Sequence, residues 1–286
     1  MEDFIEEVVK DTLMDAVKLL PFLIIAFLII EIIEHKLNNK SKKIITKSGK
    51  LGPFFGSLLG LFPQCGFGVM ATNLYVTRVI SVGTLIAVYL STSDEMIPVL
   101  LSGKADPLTI LKILAVKFIV GMTVGFIIDF LLRNVNKSEK FDYHLCNDEH
   151  CHCENGIIKS AVKHTLSTIL FITIAIFLLN TLVFFVGEDN ISKIFLKDSI
   201  FSPFIASLLG LFPNCAASVI ISELYLEGAI SVGSLIAGLL TGSGVAILLL
   251  FKSNKNLKDN LFILITIYLV GAFSGFGIEL IKLLIK

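Results

Sequence analysis

The chain has 286 residues, of which 55% are hydrophobic and 17% charged; an ordinary soluble domain carries roughly 45–50% apolar and about 25% charged residues. Its mean hydropathy is +0.85, and 24 Lys+Arg balance 24 Asp+Glu. This excludes a disordered chain, which needs low hydrophobicity and high net charge, and argues against nucleic-acid binding, which usually shows a basic excess. A soluble enzyme of this length would need far more polar surface, so the composition points to an integral membrane protein whose main partner is the lipid bilayer.

Residues 1–18 form an acidic, partly amphipathic start. It does not read as a signal peptide, because a positive n-region and a small-residue cleavage site are both missing. Apolar runs then locate the membrane segments, since a crossing helix needs about 20 apolar residues. In the first half they cover 17–33, 51–77, 79–102 and 108–132, with Glu31, Asp94, Glu95, Lys112 and Lys117 inside or near their ends. In the second half they cover 165–187, 199–222, 228–251 and 260–278 and are cleaner. Trp is absent, Tyr numbers five and Phe 23, so the usual interfacial aromatic belt is thin.

The strongest feature is a duplication. Residues 51–101 align without a gap to 201–251, an offset of 150, with 24 of the 51 positions identical. Pro53-Phe54 and Ser57-Leu-Leu-Gly-Leu-Phe-Pro63-Gln-Cys65 match Pro203-Phe204 and Ser207-Leu-Leu-Gly-Leu-Phe-Pro213-Asn-Cys215. Ile80-Ser-Val-Gly83 matches Ile230-Ser-Val-Gly233, and the offset continues through Gly121, Gly125 and Asp129 to Gly271, Gly275 and Glu279. Repeats with breaks at matching positions are a mark of secondary transporters.

Charge sets the relative orientation of the halves through the positive-inside rule. Residues 35–50 hold six Lys, whereas their counterpart 188–198 has two Lys against three acids. Residues 252–259 hold three Lys, whereas 103–106 has one Lys and one Asp. Each basic loop thus answers a neutral or acidic one, the pattern of an inverted repeat. It puts the N-terminus outside and the central loop inside, and it also leaves Lys282 and Lys286 outside. The segment 51–77 then enters and returns on one side, broken at Pro63-Gln64-Cys65, because Pro cannot continue a helix without losing a hydrogen bond. Its twin enters from the other side. The expected fold is all-α and polytopic, with two inverted repeats, re-entrant broken helices and about ten helices. It divides into residues 1–132, a cytoplasmic Cys/His-rich loop at 133–157, and residues 158–286.

Irregular backbone at membrane depth is tolerated where it lines a cavity or is buried in protein. The two tips therefore nominate Gln64, Cys65, Asn214 and Cys215 as a binding site; the plainer reading is that the Cys are small hydrophobes and the amides cap the breaks. Ser91-Thr-Ser93-Asp94-Glu95 places two carboxylates in an apolar stretch, at a cost of at least ~2.5–3.5 kcal/mol per charge at the bilayer centre. Its twin Thr241-Gly-Ser243-Gly keeps the hydroxyls and lacks the acids. Lys117 falls mid-segment opposite Ile267 in the repeat. It is expected either to pair with Asp94 or Glu95 or to snorkel to an interface. Asp129 and Glu279, at segment ends, read as anchors.

The central loop carries His144, Cys146, His150, Cys151, His152 and Cys153, with Asp148 and Glu149 between them. These donors suit Zn²⁺ or Cu(I), although the spacing is not that of a zinc finger. Thiols in the cytoplasm stay reduced and open to metal.

Leu61-Phe-Pro-Gln-Cys-Gly66, Gly83-Thr-Leu-Ile-Ala with Ser91-Thr-Ser-Asp-Glu, and the His/Cys loop followed by Lys163-His-Thr resemble the ten-transmembrane heavy-metal exporter family. Its members are described as arsenic efflux proteins or manganese transporters. The resemblance covers nearly the whole chain and implies an inner-membrane efflux permease without its own ATPase domain.

The residues themselves read as a secondary transporter for a metal or metalloid ion. Gln64, Cys65, Ser93, Asp94, Glu95, Asn214, Cys215 and Ser243 would bind it, with Lys117 as charge partner, no resident cofactor and no catalytic residue. Oxygen donors suit Mn²⁺, while two thiols favour softer cations or trivalent arsenic; the acidic charge tilts the reading to a divalent cation. No Walker motif offers direct ATP coupling. A channel and a membrane-embedded thiol enzyme are the other readings. The enzyme is the weaker, since there is no Cys-x-x-Cys and no base adjacent in sequence to Cys65 or Cys215.

Overall fold

The computed structural model describes residues 9–36, 51–64, 66–93, 96–132, 157–186, 201–214 and 216–285. Cys65, Asp94, Glu95, Cys215 and the ligand-rich loop residues His144, Cys146, His150, Cys151, His152 and Cys153 lie outside these. All regular structure among the described residues is α-helical. The first half contains α1 (Lys10–Lys36), α2 (Gly52–Gly60), α3 (Gly66–Val76), α4 (Val82–Ser91), α5 (Met96–Ser102) and α6 (Pro107–Leu132). The second contains α7 (Ile157–Val186), α8 (Ser202–Gly210), α9 (Ala216–Leu226), α10 (Val232–Thr241), α11 (Ala246–Ser253) and α12 (Leu257–Ile285).

Among the described residues four stretches are long and apolar enough to cross a membrane: Val82–Ser102, Pro107–Leu132, Val232–Ser253 and Leu257–Leu284. The first and third are the pairs α4–α5 and α10–α11, each one span interrupted near its middle. Taken so, the described helices number ten. At 27 and 30 residues, α1 and α7 also exceed the crossing length.

The helices α2 and α3, at 9 and 11 residues, reach only about 13 and 16 Å, half the ~30 Å hydrocarbon core. Pro53 and Pro203 are the second residues of α2 and α8, within the first turn, where proline's missing N–H has no intrahelical partner to lose. A Cβ on Gly52 would meet Thr84, and one on Gly60 would meet Ser91 and Val88, so α2 runs parallel to α4. A tight turn then joins α3 to α4, with the N–H groups of Val79 and Ile80 both donating to the Leu74 carbonyl. The Thr72 hydroxyl meets that of Tyr89 at 2.5 Å, so α3 runs back alongside α4. The chain enters along α2, leaves the helix at residues 61–64 and returns along α3, as the sequence predicts. The twin turn repeats these bonds at Ala229 and Ile230. Its left-handed residue is Gly228, where the first half has Arg78.

The central helices of the two halves pack alike. In the first, α4 lies against both α6 and α2; in the second, α10 lies against both α12 and α8. Between halves the contacts are reciprocal: α3 meets α11, α9 meets α5, α1 meets α7 and α4 meets α10. Each cross-half contact is matched by that of the repeat mates, or joins two mates, which is what a two-fold relation requires. The interrupted spans are central, with three quarters or more of their apolar windows buried; α6 and α12, at 28%, turn broad faces outward. Those faces carry Leu111, Ile119, Ile127, Leu261, Ile265 and Phe273 and suit lipid contact.

Candidate functional site

The breaks in the two central spans have local causes. In the first, the hydroxyls of Ser91 and Thr92 turn back on the carbonyls of Ala87 and Val88, both at 2.8 Å, and the backbone at Thr92 leaves the helix at ψ 128. Hydroxyl side chains that compete for backbone groups in this way loosen a helix. Pro98 lies in the first turn of α5, where proline is tolerated, but it could not donate within one continuous helix. In the second span Thr241 bonds back to Gly238 at 2.9 Å, and Gly244 takes φ +54, a conformation natural to glycine.

Helix ends leave carbonyls without intrahelical partners, and here two such ends meet. The ammonium of Lys117, on α6, donates to the carbonyl of Thr92, which caps α4, and at 2.7 Å to the carbonyl of Leu239, in the last turn of α10. Lys117 is 1% exposed. This rules out snorkelling and makes it a shared cap for two helix C-termini, one from each half. Each C-terminus carries about half a negative charge, so one ammonium balances the pair. Its repeat mate Ile267 is fully buried and brings no charge. Pairing of Lys117 with Asp94 or Glu95 involves residues outside those described.

The opposite ends of the same helices are capped by carboxylates. Asp129 accepts the Gly83 N–H at 2.9 Å and the Ser81 hydroxyl at 2.6 Å, while the Ser81 hydroxyl accepts from the Thr84 N–H. Glu279 accepts the Gly233 N–H at 3.0 Å, beside the matching Ser231 cap on Ser234. Both acids are anchors at helix N-termini, where negative charge is favoured.

The first tip is held between the two breaks. Gly60 abuts Ser91 and Val88, while a Cβ on Gly68 would meet Ala246 at 3.1 Å and the Ser243 carbonyl at 3.9 Å. The second tip abuts Gly238 and Thr241 through Gly210. Ser93 and Ser243 are both buried at the breaks; the Ser93 hydroxyl bonds the Ser91 carbonyl at 3.0 Å, whereas that of Ser243 is buried with no hydrogen-bond partner among the described residues. The tip amides turn elsewhere. Gln64 donates to the Lys18 carbonyl of α1 at 3.2 Å. The Asn214 carbonyl oxygen accepts from the Ala216 N–H at 3.5 Å, at the start of its own α9.

Tyr89 was not singled out by sequence. It is fully buried, and its hydroxyl contacts Thr72 and donates to the Ala246 carbonyl of the other half at 3.2 Å. The signal lay in the duplication, where Tyr89 faces Leu239: like Lys117, it is a polar side chain of the first half with an apolar mate. In both cases the first half supplies the donor and the second a backbone carbonyl.

A duplicated helical frame with two interrupted spans, polar at the breaks and lipid-facing outside, defines a multi-pass membrane protein of the transporter class. A family profile described as "Putative, 10TM heavy-metal exporter" matches residues 2–170 and 155–284, and the chain belongs to this family. No curated protein and no solved structure matches it.

Proposed function

We propose that the chain is a secondary-active transporter that exports a heavy-metal or metalloid ion across the inner cell membrane, with a divalent cation such as Mn²⁺ as the favoured cargo. The observation that carries this reading is the meeting of the two interrupted spans around one buried ammonium. Broken central helices from two repeats are where secondary transporters bind substrate. The cargo site consists of Ser93, Asp94 and Glu95 at the first break, Ser243 at the second, and Gln64, Cys65, Asn214 and Cys215 at the tips. Two acids against one lysine leave a net negative charge for a divalent ion, and a carboxylate can exchange it for a proton. The loop with His144, Cys146, His150, Cys151, His152 and Cys153 collects metal on the cytoplasmic side.

The halves are inverted. Between the start of α2 and the start of α8 lie a re-entrant hairpin and three crossings, α4–α5, α6 and α7, so the second repeat begins on the opposite face. The loop charges agree with this parity. Inverted halves allow alternating access by rocking around a fixed centre.

One observation favours a second cargo: the buried Lys117 already supplies positive charge, which suits an uncharged trivalent arsenical held by Cys65 and Cys215. Uptake of a panel of ions and arsenicals into inside-out vesicles, with and without a pH gradient, decides between them. Mn²⁺ uptake that rises with the gradient and falls in Asp94→Asn supports the first reading. Arsenical uptake that falls in Cys65→Ser supports the second, and normal transport by both variants overturns the site.

A further inference from the structure

We infer that the junction of α4 and α10 is a monovalent-cation site, suited to a primary ammonium ion, which Lys117 fills from within the chain. Among the described residues, the partners of the Lys117 ammonium are two backbone carbonyls. The N–H of Gly242 goes to Gly238, and that of Ser243 goes to Thr241, which leaves the Leu239 carbonyl outside the helical ladder. The Thr92 carbonyl lies at the α4 cap. Two C-terminal dipoles converge there, each worth about half a negative charge, and half-helix C-termini with unwound carbonyls are suited to coordinating cations. The buried Ser243 hydroxyl, without a hydrogen-bond partner among the described residues, lies one turn beyond Leu239 and adds an oxygen donor at the same break.

Lys117 brings what such a site asks for. An ammonium has three donors and no acceptor, and two of its N–H groups are engaged by carbonyls from opposite halves. The repeat mate Ile267 supplies no second charge. A tethered cation is never released, so the wild-type junction stays closed without Na⁺, K⁺ or ammonium in the medium. Truncation to alanine removes the ammonium and three methylenes, a shape that propylammonium matches. The site shares its break with the proposed cargo site, but as an account of what holds Lys117 it does not depend on which ion is exported.

The test reads stability rather than transport, so its failure and that of the transport reading are separate. The full-length Lys117→Ala protein is prepared from membranes in choline chloride, with or without propylammonium chloride, and its Tm is measured. Propylammonium is expected to raise the Tm saturably by several degrees in Lys117→Ala and not in wild type. Tetramethylammonium, which has no N–H, and propanol, which has no charge, are expected to have no effect. A parallel response to Na⁺ also supports a cation site, as does recovery of folded Lys117→Ala only when propylammonium is present. Lys117→Met, apolar and similar in length, is expected to melt below wild type and not to respond. The inference is overturned if Lys117→Ala gains nothing from propylammonium, folded or not, if wild type gains equally, or if Lys117→Met is as stable as wild type.

Discussion

Lys117 and Asp129 lie on one helix, about 18 Å apart at 1.5 Å per residue. Antiparallel to them, α4 has 10 residues, so α6 offers a cation to one end of α4 and an anion to the other. Asp129→Asn keeps the side-chain shape but removes the charge and one acceptor from the Gly83 and Ser81 bonds. It is expected to lower stability by about 1–2 kcal/mol, measured by unfolding in detergent. Glu279→Gln, with a single capping bond shown, is expected to cost less. Ser243 separates fold from function. Its buried hydroxyl has no partner among the described residues, so Ser243→Ala is expected to leave the Tm at or slightly above wild type, while vesicle transport falls. Unchanged transport would remove Ser243 from the cargo site.

At the scale of elements, backbones approach one another closely where the repeat keeps glycine. A Cβ on Gly83 would lie 2.2 Å from the Gly125 carbonyl oxygen, and the twin Gly233 would meet Gly275 at 2.6 Å. Small residues at such crossings drive helix association in lipid, where apolar burial offers no advantage over the acyl chains. Gly83→Ala must therefore push α4 from α6 and is expected to cost at least about 2 kcal/mol. Gly277, on α12, supplies the control. It has nothing within 4 Å of a built Cβ, so Gly277→Ala is expected to stabilise by up to about 1 kcal/mol. Equal effects of the two substitutions in the same unfolding assay would reject close backbone packing as the cause.

For the whole molecule the decisive question is orientation. Arg78 and Glu227 occupy matching turns, α3–α4 and α9–α10. Inverted halves put these turns on opposite faces of the membrane. An impermeant thiol reagent, read by mass spectrometry at Arg78→Cys and Glu227→Cys, is expected to label one in right-side-out vesicles and the other in inside-out vesicles. Labelling of both from one side would mean parallel halves and would remove alternating access by inverted repeats. The reciprocal packing of α3 on α11 and α9 on α5 holds for either orientation, so the experiment tests what packing alone leaves open.

The sequence by itself determined the membrane class, the duplication and the positions of the breaks. All three are local: apolar runs partition into lipid on composition, and Pro63 and Pro213 act on the hydrogen bonds of their own turns at the two tips. It also marked Lys117 as exceptional through the mismatch with Ile267. Only the tertiary structure decided what Lys117 holds. Its bond to Leu239 joins residues 122 apart in sequence, and that distance is bridged by the packing of one half on the other rather than by any local pattern. For the same reason only the packed fold shows that Gln64 bonds the Lys18 carbonyl of α1 and that Asn214 accepts from Ala216 at the start of its own helix.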